Sequence, residues 1–237
     1  MAFHRVIMST IESNLQHVRA CINAAIAGMP QERRKPVTLV AVSKAKSDAD
    51  IREAFAAGQR AFGENYVQEG VAKIEAMADL RPHGMTWHFI GPLQGNKARQ
   101  VAQHFDWMHS IDRYKIAQAL SAYRLGRSPL NVCLQINISG EASKSGVAAS
   151  DALALARQIA ALPALKFRGL MAIIENTPDE AAQRAQFRMM HQLFEEVNRA
   201  GLVIDTLSMG MSHDYRVAIG EGATMVRVGS AIFGVRP

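Results

Sequence analysis

Strand-like and helix-like segments alternate along nearly the whole chain, and this alternation limits the folds open to it. Apolar segments of strand length occur near residues 37, 61, 86, 106, 131, 166, 205 and 224, and each but the last precedes an amphipathic segment. Such alternation places the strands parallel, with right-handed crossovers between them. Eight units in 237 residues predict an α/β fold, a single (β/α)8 TIM barrel. A further helix is predicted before the first strand, at about 9–27.

The rival fold is an open, doubly wound sheet. That fold carries a glycine-rich phosphate turn after its first strand, whereas the corresponding turn here reads SKAKSD. No Pro/Gly/Ser-rich linker and no internal repeat divides the chain. We therefore predict one domain over residues 1–237.

Composition argues against several classes of function. No apolar run reaches the 18 residues of a transmembrane helix, and the N-terminus lacks the continuous apolar centre of a signal peptide. Cys21 and Cys133 form no CxxC pair, which suits a reducing cytoplasm. The net charge of +6 comes from scattered basic residues, so nucleic-acid binding is not predicted. The histidines show no ligand spacing, and no metal site is predicted.

Lys44 stands at the end of the first predicted strand, VTLVAVS. Side-chain alternation puts it on the same face as Thr38, Val40 and Val42. If that face points inward, Lys44 lies at the mouth of the barrel, where active sites of this fold occur. An apolar surround favours the neutral amine, which is the form that attacks carbonyls. The alternative is a lysine that extends its amine into solvent.

The ends of the last two predicted strands, SMGMSHD and VGSAIFG, indicate a phosphate site. Barrels commonly bind phosphate with the loops after strands seven and eight. Gly210 permits a tight turn, and Ser212 or Asp214 could cap the short helix that follows. Gly229 would let a phosphate approach the backbone, and Ser230 adds a hydroxyl. The alternative is that these are ordinary turn residues.

Arg227 lies within the last apolar strand, on the face that Met225 shares. An arginine inside a barrel is costly unless it meets an anion or a strong acceptor, and the alternative is an outward arginine paired with a carboxylate. With Lys44 and the phosphate site, it suggests a phosphorylated aldehyde held as a Schiff base, for which pyridoxal 5'-phosphate (PLP) is the obvious candidate. An arginine beside the pyridine nitrogen would keep that nitrogen unprotonated and weaken the ring as an electron sink.

A family resemblance rests on stretches spread from about residue 38 to 234: AVSKAKS, FGENYVQEG, WHFIGPLQGNK, FDWMHSIDR, QINISGEASKSG, RGLMAI, SMGMSHD and MVRVGSAIFG. With these stretches the sequence closely resembles the PLP-binding, vitamin B6 homeostasis proteins of the YggS/PROSC family. The resemblance implies a single barrel like the N-terminal domain of alanine racemase, with the cofactor on Lys44.

The resemblance also implies roles for particular residues. Besides Lys44, the cofactor-binding residues are expected to be Asn65, His88, Ser212, Arg227, Gly229 and Ser230. The two glycine- and serine-containing loops would hold the phosphate, Arg227 would lie near the pyridine nitrogen, and Asn65 and His88 would line the ring. Lys144, a second lysine in a matched stretch, would receive or pass on the cofactor.

Three functions remain open. The first is a non-catalytic carrier or regulator that acts in PLP (vitamin B6) homeostasis, as a cytoplasmic monomer that serves PLP-dependent apoenzymes. The second is a racemase-like enzyme, which needs a second base opposite the lysine. In the alanine racemase type an additional domain supplies a tyrosine; this chain ends at Pro237, so we expect that domain to be absent, although Tyr66 and Tyr215 lie near the mouth. The third is a barrel for another phosphate compound, with Lys44 as an ion-pairing residue. The resemblance favours the first.

Overall fold

The computed structural model describes residues 10–139 and 145–234, and its strands form one parallel sheet that closes on itself. The strands are β1 (Thr38–Val42), β2 (Ala61–Glu64), β3 (Thr86–Phe89), β4 (Trp107–Ile111), β5 (Leu130–Asn137), β6 (Val147–Ala148), β7 (Leu165–Ala172), β8 (Thr206–Ser208) and β9 (Met225–Val228). All but the two-residue β6 belong to the ring, and β6 pairs only with the end of β5.

Closure of the barrel is visible in the strand pairs. β1 lies between β2 and β9, with Thr38 opposite Met225 and Val40 opposite Ala61. On the far side, β4 pairs with β5 and completes the ring. A closed ring has no exposed edge strands. The predicted (β/α)8 TIM barrel is confirmed, and the open sheet is excluded.

The helices lie outside the ring. They are α1 (Thr10–Ala27), α2 (Asp48–Ala56), α3 (Val67–Ala76), α4 (Ala98–His104), α5 (Tyr114–Arg124), α6 (Ala152–Ala160), α7 (Glu180–Arg199), α8 (Tyr215–Gly220) and α9 (Ser230–Phe233). Short 3-10 turns cover Gln31–Arg33, Ala78–His83, Gly95–Lys97 and Ala149–Asp151. The predicted N-terminal helix corresponds to α1, which packs against α2, α8 and α9 through a stripe of buried residues that includes Leu15 and Val18.

Most of the apolar core lies between the strands and the helices, where the odd-numbered residues of β1, Leu39 and Ala41, are buried. The opposite face of β1 points into the barrel, where Val40 packs with Ala61 and Met225. This is the alternation that the sequence predicted for β1. The remaining interior is unusually polar for a barrel, because it also holds buried histidine and arginine side chains.

Candidate cofactor site

A cavity of about 550 Å³ opens at the carboxyl ends of the strands. Six of the seven predicted site residues line it, and these are Lys44, Asn65, Ser212, Arg227, Gly229 and Ser230. The other lining residues are Val42, Lys46, Ile90, Ile173, Met211, His213 and Gly234. Elements distant in sequence thus bring an amine, a guanidinium, an amide and two serine hydroxyls to one cavity with partly apolar walls.

Lys44 belongs to a tight turn directly after β1. The carbonyl oxygen of Ser43 accepts a hydrogen bond from the Lys46 amide at 3.0 Å, which closes the turn. Ala45 has a φ of +58°, a left-handed conformation that non-glycine residues rarely adopt. The Lys46 amine donates to the carbonyl oxygens of Phe233 and Gly234 at 3.0 and 3.3 Å, so this turn is tied to the end of α9.

The loops after β8 and β9 meet at the other side of the cavity. The Gly229 amide donates to Ser212 Oγ at 3.3 Å. A Cβ at Gly229 would lie 3.2 Å from the Val42 carbonyl oxygen, so the absence of a side chain lets this loop lie against β1. Asp214 is the N-cap of α8, but its carboxylate accepts from the Met211 amide at 2.5 Å instead of capping the helix. The predicted cap is therefore absent, and this carboxylate shapes the loop instead.

Arg227 is 4% exposed and lies at the inner end of the cavity. One Nη donates to Ser208 Oγ at 2.7 Å, and the other donates to the Ala172 carbonyl oxygen at 2.9 Å. Burial lowers the pKa of the guanidinium to about 10, which leaves it charged at neutral pH. Among the ion pairs of residues 10–139 and 145–234, none joins Arg227 to a carboxylate. The site therefore contains a buried cation held by neutral acceptors.

A line of hydrogen bonds continues from Arg227 into the barrel. Ser208 Oγ lies 3.0 Å from His109 Nδ1, and His109 Nε2 lies 2.9 Å from His88 Nδ1. Because Ser208 Oγ accepts from the arginine, its proton is free for His109 Nδ1, and each imidazole then donates through Nε2. We name Arg227, Ser208, His109 and His88 the arginine column.

Both histidines of the column are neutral. Burial lowers the pKa of His88 to about 3. Burial is also the main cause that holds the pKa of His109 well below its ordinary value, and the neighbouring His88 and Arg227 lower it further. His88 stacks on Trp107 at 5.3 Å between ring centroids. It is the one predicted site residue that the structure does not bring to the cavity lining. It lies deeper, as part of the column that holds Arg227.

Asn65 follows β2, and Gly91 follows β3, at the same end of the barrel. A Cβ at Gly91 would overlap the carbonyl oxygen of Asn65, so a glycine is needed for this close approach. The buried Oδ1 atom of Asn65 has no hydrogen-bond partner among the described residues. Its side-chain amide therefore keeps hydrogen-bonding capacity for a ligand in the cavity.

Sequence reasoning missed Lys46 and His213 as lining residues. Lys46 lies in the same SKAKS turn as Lys44, but the direction of its side chain depends on the turn geometry. The position of His213 at the cavity depends on the fold of the loop after β8. Lys144 lies outside the described residues. No group of three potential metal ligands occurs in the part of the chain that the structure describes.

Comparison with known proteins identifies related barrels. Residues 9–237 match the family "Alanine racemase, N-terminal domain". The chain is 20% identical to the alanine racemase of Corynebacterium glutamicum, with a TM-score of 0.67 over 97% of this chain and 62% of that one. At this identity the likeness shows the fold alone, and it agrees with the barrel described above.

Closer relatives match nearly the whole length of the chain. The pyridoxal phosphate homeostasis protein of Pseudomonas aeruginosa is 54% identical over 97% of both chains, and that of Escherichia coli K12 is 50% identical over 97% of this chain and 98% of that one. PipY from Synechococcus elongatus, whose structure was solved with PLP bound, is 39% identical in sequence to this chain. The two structures give a TM-score of 0.80 over 94% of this chain and all of that one. The chain belongs to the family of the pyridoxal phosphate homeostasis proteins, which share the alanine racemase N-terminal fold.

Proposed function

We propose that this chain binds PLP through a covalent link to Lys44 and takes part in PLP homeostasis as a carrier or regulator. The observation that carries the proposal is the meeting of Lys44, Arg227 and the Ser212–Gly229 contact at one cavity. PLP offers an aldehyde, a ring nitrogen and a phosphate, and the cavity offers a matching group for each. The close relatives named for this role, and the PipY structure with PLP bound, support the same assignment.

Each predicted residue then has a task. The Lys44 amine would bond to the aldehyde carbon, and the aldehyde oxygen would leave as water. Ser212, Gly229 and Ser230 would bind the phosphate through hydroxyls and backbone amides. Asn65 would use its amide on the polar edge of the ring. His88 would act at a distance, through His109 and Ser208, on the orientation of Arg227.

Arg227 bears on catalysis as well as on binding. PLP, when bound, supplies an electron sink whose strength depends on protonation of the ring nitrogen. A guanidinium has no lone pair to accept a proton and stays charged, so it can only donate to that nitrogen. The ring would remain a weak sink, which suits storage of a reactive aldehyde better than carbanion chemistry. We therefore propose that the role is non-catalytic.

Borohydride reduction tests the proposal. The purified protein is mixed with PLP, reduced, digested and mapped by mass spectrometry. We expect a pyridoxyl adduct on the peptide that contains Lys44, and its loss in Lys44→Ala with the far-UV circular dichroism unchanged. Lys115→Ala, at an exposed lysine of α5 away from the cavity, is the control and should keep the adduct. An adduct on Lys46, or one spread over surface lysines, would refute the assignment.

His213 is the one observation that favours a racemase-like activity, because it places an imidazole at the cavity lining. Tyr66, by contrast, is 57% exposed and Tyr215 is buried, and neither lines the cavity. Incubation of the PLP-loaded protein with L-alanine in D2O separates the two functions. A non-catalytic carrier leaves the Cα hydrogen in place, whereas exchange that is lost in His213→Ala would establish an enzyme.

The finer features of the role are also proposals. We propose that the protein is a cytoplasmic monomer that supplies PLP to PLP-dependent apoenzymes. Both cysteines are free thiols, in agreement with a reducing compartment. Across the described residues, none of the helices combines the length and apolarity that crossing a bilayer requires. Mixing the PLP-loaded protein with a PLP-free transaminase and following recovery of activity tests the transfer.

A further inference from the structure

A cluster of buried charges lies directly behind the Lys44 turn, on the helix side of the barrel wall. The Lys73 amine donates to Glu64 Oε1 at 2.9 Å and to Glu69 Oε1 at 2.6 Å. The side chains of Lys73 and Glu64 are 7% and 0% exposed. We name these three residues the charge cluster. None of them lines the cofactor cavity.

Stability alone does not explain the cluster. A buried ion pair is seldom more stabilising than well-packed apolar residues of the same volume, because both charges lose their hydration. Glu64 Oε2 is also buried without a hydrogen-bond partner among the described residues. Burial raises the pKa of the Glu64 carboxyl despite the nearby ammonium group. A barrel wall built only for stability would use apolar side chains here.

The contacts of the cluster point instead to the turn. The Lys73 amine donates to the Ser43 carbonyl oxygen at 2.7 Å, and Ser43 Oγ donates to Glu64 Oε1 at 2.6 Å. The Ala45 amide donates to Glu69 Oε1 at 2.5 Å. The cluster therefore binds the residue on each side of Lys44. Lys44, the residue between them, lines the cofactor cavity on the opposite side of the wall.

Ala45 shows that the turn depends on these bonds. Its positive φ is strained for a residue with a Cβ, and such strain persists only where the surroundings hold it. The bond from its amide to Glu69 supplies that hold on one side, and the bonds to Ser43 supply it on the other.

We propose that Glu64, Glu69 and Lys73 are positioning residues, which hold the strained turn so that the Lys44 amine meets the aldehyde of PLP. The inference rests on the proposed function and extends it to the FGENYVQEG stretch, which contains both glutamates. The step affected is the one in which the amine nitrogen bonds to the aldehyde carbon and the aldehyde oxygen leaves as water. Such steps are sensitive to placement of the reacting atoms within about 1 Å.

Glu69 is the residue to change, because its side chain is 28% exposed and its replacement leaves the buried pair intact. In Glu69→Ala we expect the covalent link to form at least about tenfold more slowly, followed by stopped-flow absorbance. Glu69→Gln keeps an acceptor oxygen for the Ala45 amide, so its rate is expected to stay within about threefold of the wild type. Glu75→Ala, on the same helix with a 67% exposed side chain, is the matched control.

Pyridoxamine 5'-phosphate separates positioning from binding. It carries an amine in place of the aldehyde and cannot link to Lys44, so its dissociation constant reports the cavity alone. We expect this constant to be unchanged in Glu69→Ala, because among the described residues Glu69 bonds to Ala45 and Lys73 and not to the loops that would hold the phosphate. A rate loss matched by an equal loss of pyridoxamine phosphate affinity would overturn the inference, since the cavity as a whole would then be disturbed.

A second-site change tests the strain directly. Glycine adopts the positive φ without cost, so Glu69→Ala/Ala45→Gly should recover much of the lost rate. Failure of this recovery would overturn the role given to the strained turn. If the wild type labels at Lys44 and Glu69→Ala links as fast as the wild type, the inference fails and the proposed function stands. If the wild type itself does not label at Lys44, the proposed function fails.

Discussion

Lys73 and Arg227 are two buried cations in one barrel, and their partners differ. Lys73 lies on the helix side of the wall and is neutralised by Glu64 and Glu69. Arg227 lies on the cavity side and donates to a serine hydroxyl and a backbone carbonyl, with its charge left uncompensated by any contacting carboxylate of the described residues. A buried cation paired with carboxylates serves the protein itself. A buried cation held by neutral acceptors remains able to interact with a ligand.

This difference also explains the neutral histidines. A protonated His109 would place a second positive charge next to Ser208 and Arg227, and the same burial that dehydrates the arginine disfavours that charge. The arginine column therefore holds Arg227 without adding or removing charge. On the other side of the wall, the charged groups of the cluster hold the Lys44 turn through hydrogen bonds with Ser43 and with the Ala45 amide. Neutral groups thus hold the Arg227 end of the proposed PLP site, and charged groups hold the Lys44 end.

The largest expected effect is the loss of the Lys73 charge. Lys73→Met leaves the Glu64 carboxylate buried and unpaired, which should lower the free energy of unfolding by about 3–5 kcal/mol. Denaturant unfolding measures the change. Lys73→Met/Glu64→Gln removes the stranded charge and should recover at least half of the loss. A single variant that unfolds like the wild type would show that the pair is not coupled to stability.

Acid should destabilise the protein through the arginine column. Burial lowers the pKa of His88 to about 3 from its ordinary value near 6.5, so the unfolded chain binds a proton that the folded chain excludes. The stabilisation is complete above pH 6.5 and is lost as the pH falls from 6.5 towards 3. Between pH 7 and 5 His88 alone should remove about 2 kcal/mol from the free energy of unfolding.

His88→Gln should reduce this acid dependence, because glutamine does not titrate. Unfolding curves at pH 7, 6 and 5 give the slope for each protein. His83→Gln, at an exposed histidine outside the arginine column, is measured beside it as a control for the loss of one histidine. Equal slopes in His88→Gln and the wild type would contradict a neutral, buried His88.

Arg227→Met sharpens the comparison with Lys73. The change removes a charge that no carboxylate of the described residues contacts, although Asp214 attracts it from a distance, and it leaves Ser208 Oγ and the Ala172 carbonyl each without one donor. We therefore expect a loss of at most about 2 kcal/mol. The absorbance spectrum of bound PLP should shift, because the ring loses its charged neighbour. A stability loss equal to that of Lys73→Met, with an unchanged spectrum, would make Arg227 a structural residue.

The smallest expected effect comes from Ser208→Ala. The change removes the bond that Arg227 donates to Ser208 Oγ and the bond that this hydroxyl donates to His109. The free energy of unfolding should fall by about 1 kcal/mol. The PLP spectrum should shift in the same direction as in Arg227→Met, by a smaller amount. Ser208 does not line the cavity, so a spectral shift in Ser208→Ala would show that the column acts on PLP through Arg227. An unchanged spectrum would limit the column to a packing role.

Much of the fold was predictable because each barrel strand carries its own local pattern. Strand alternation allowed an inward or an outward direction for Lys44 and for Arg227, and the structure shows that both line the cavity. β6 was not predicted, since two residues carry no periodicity. The prediction that Ser212 or Asp214 caps α8 was wrong, because Asp214 accepts from the loop amide of Met211 and Ser212 accepts from the Gly229 amide.

The arginine column and the charge cluster could not be predicted for a different reason. The bonds of the arginine column join residues far apart in the chain, such as His109 and Ser208, and depend on strand register. Lys73 follows an ordinary amphipathic pattern in α3, where a lysine is typical of a solvated face. Only the closeness of α3 to the ends of β1 and β2 buries its amine.

A crystal structure of the protein grown with PLP tests the central claim most directly. We predict continuous density from the cofactor to Lys44 Nζ, an Arg227 nitrogen within hydrogen-bond distance of the ring nitrogen, and the phosphate between Ser212 and Gly229. Lys73 should keep its bonds to Glu64 and Glu69. Density attached to another lysine, or an Arg227 turned away from the ring to meet a carboxylate, would contradict the account.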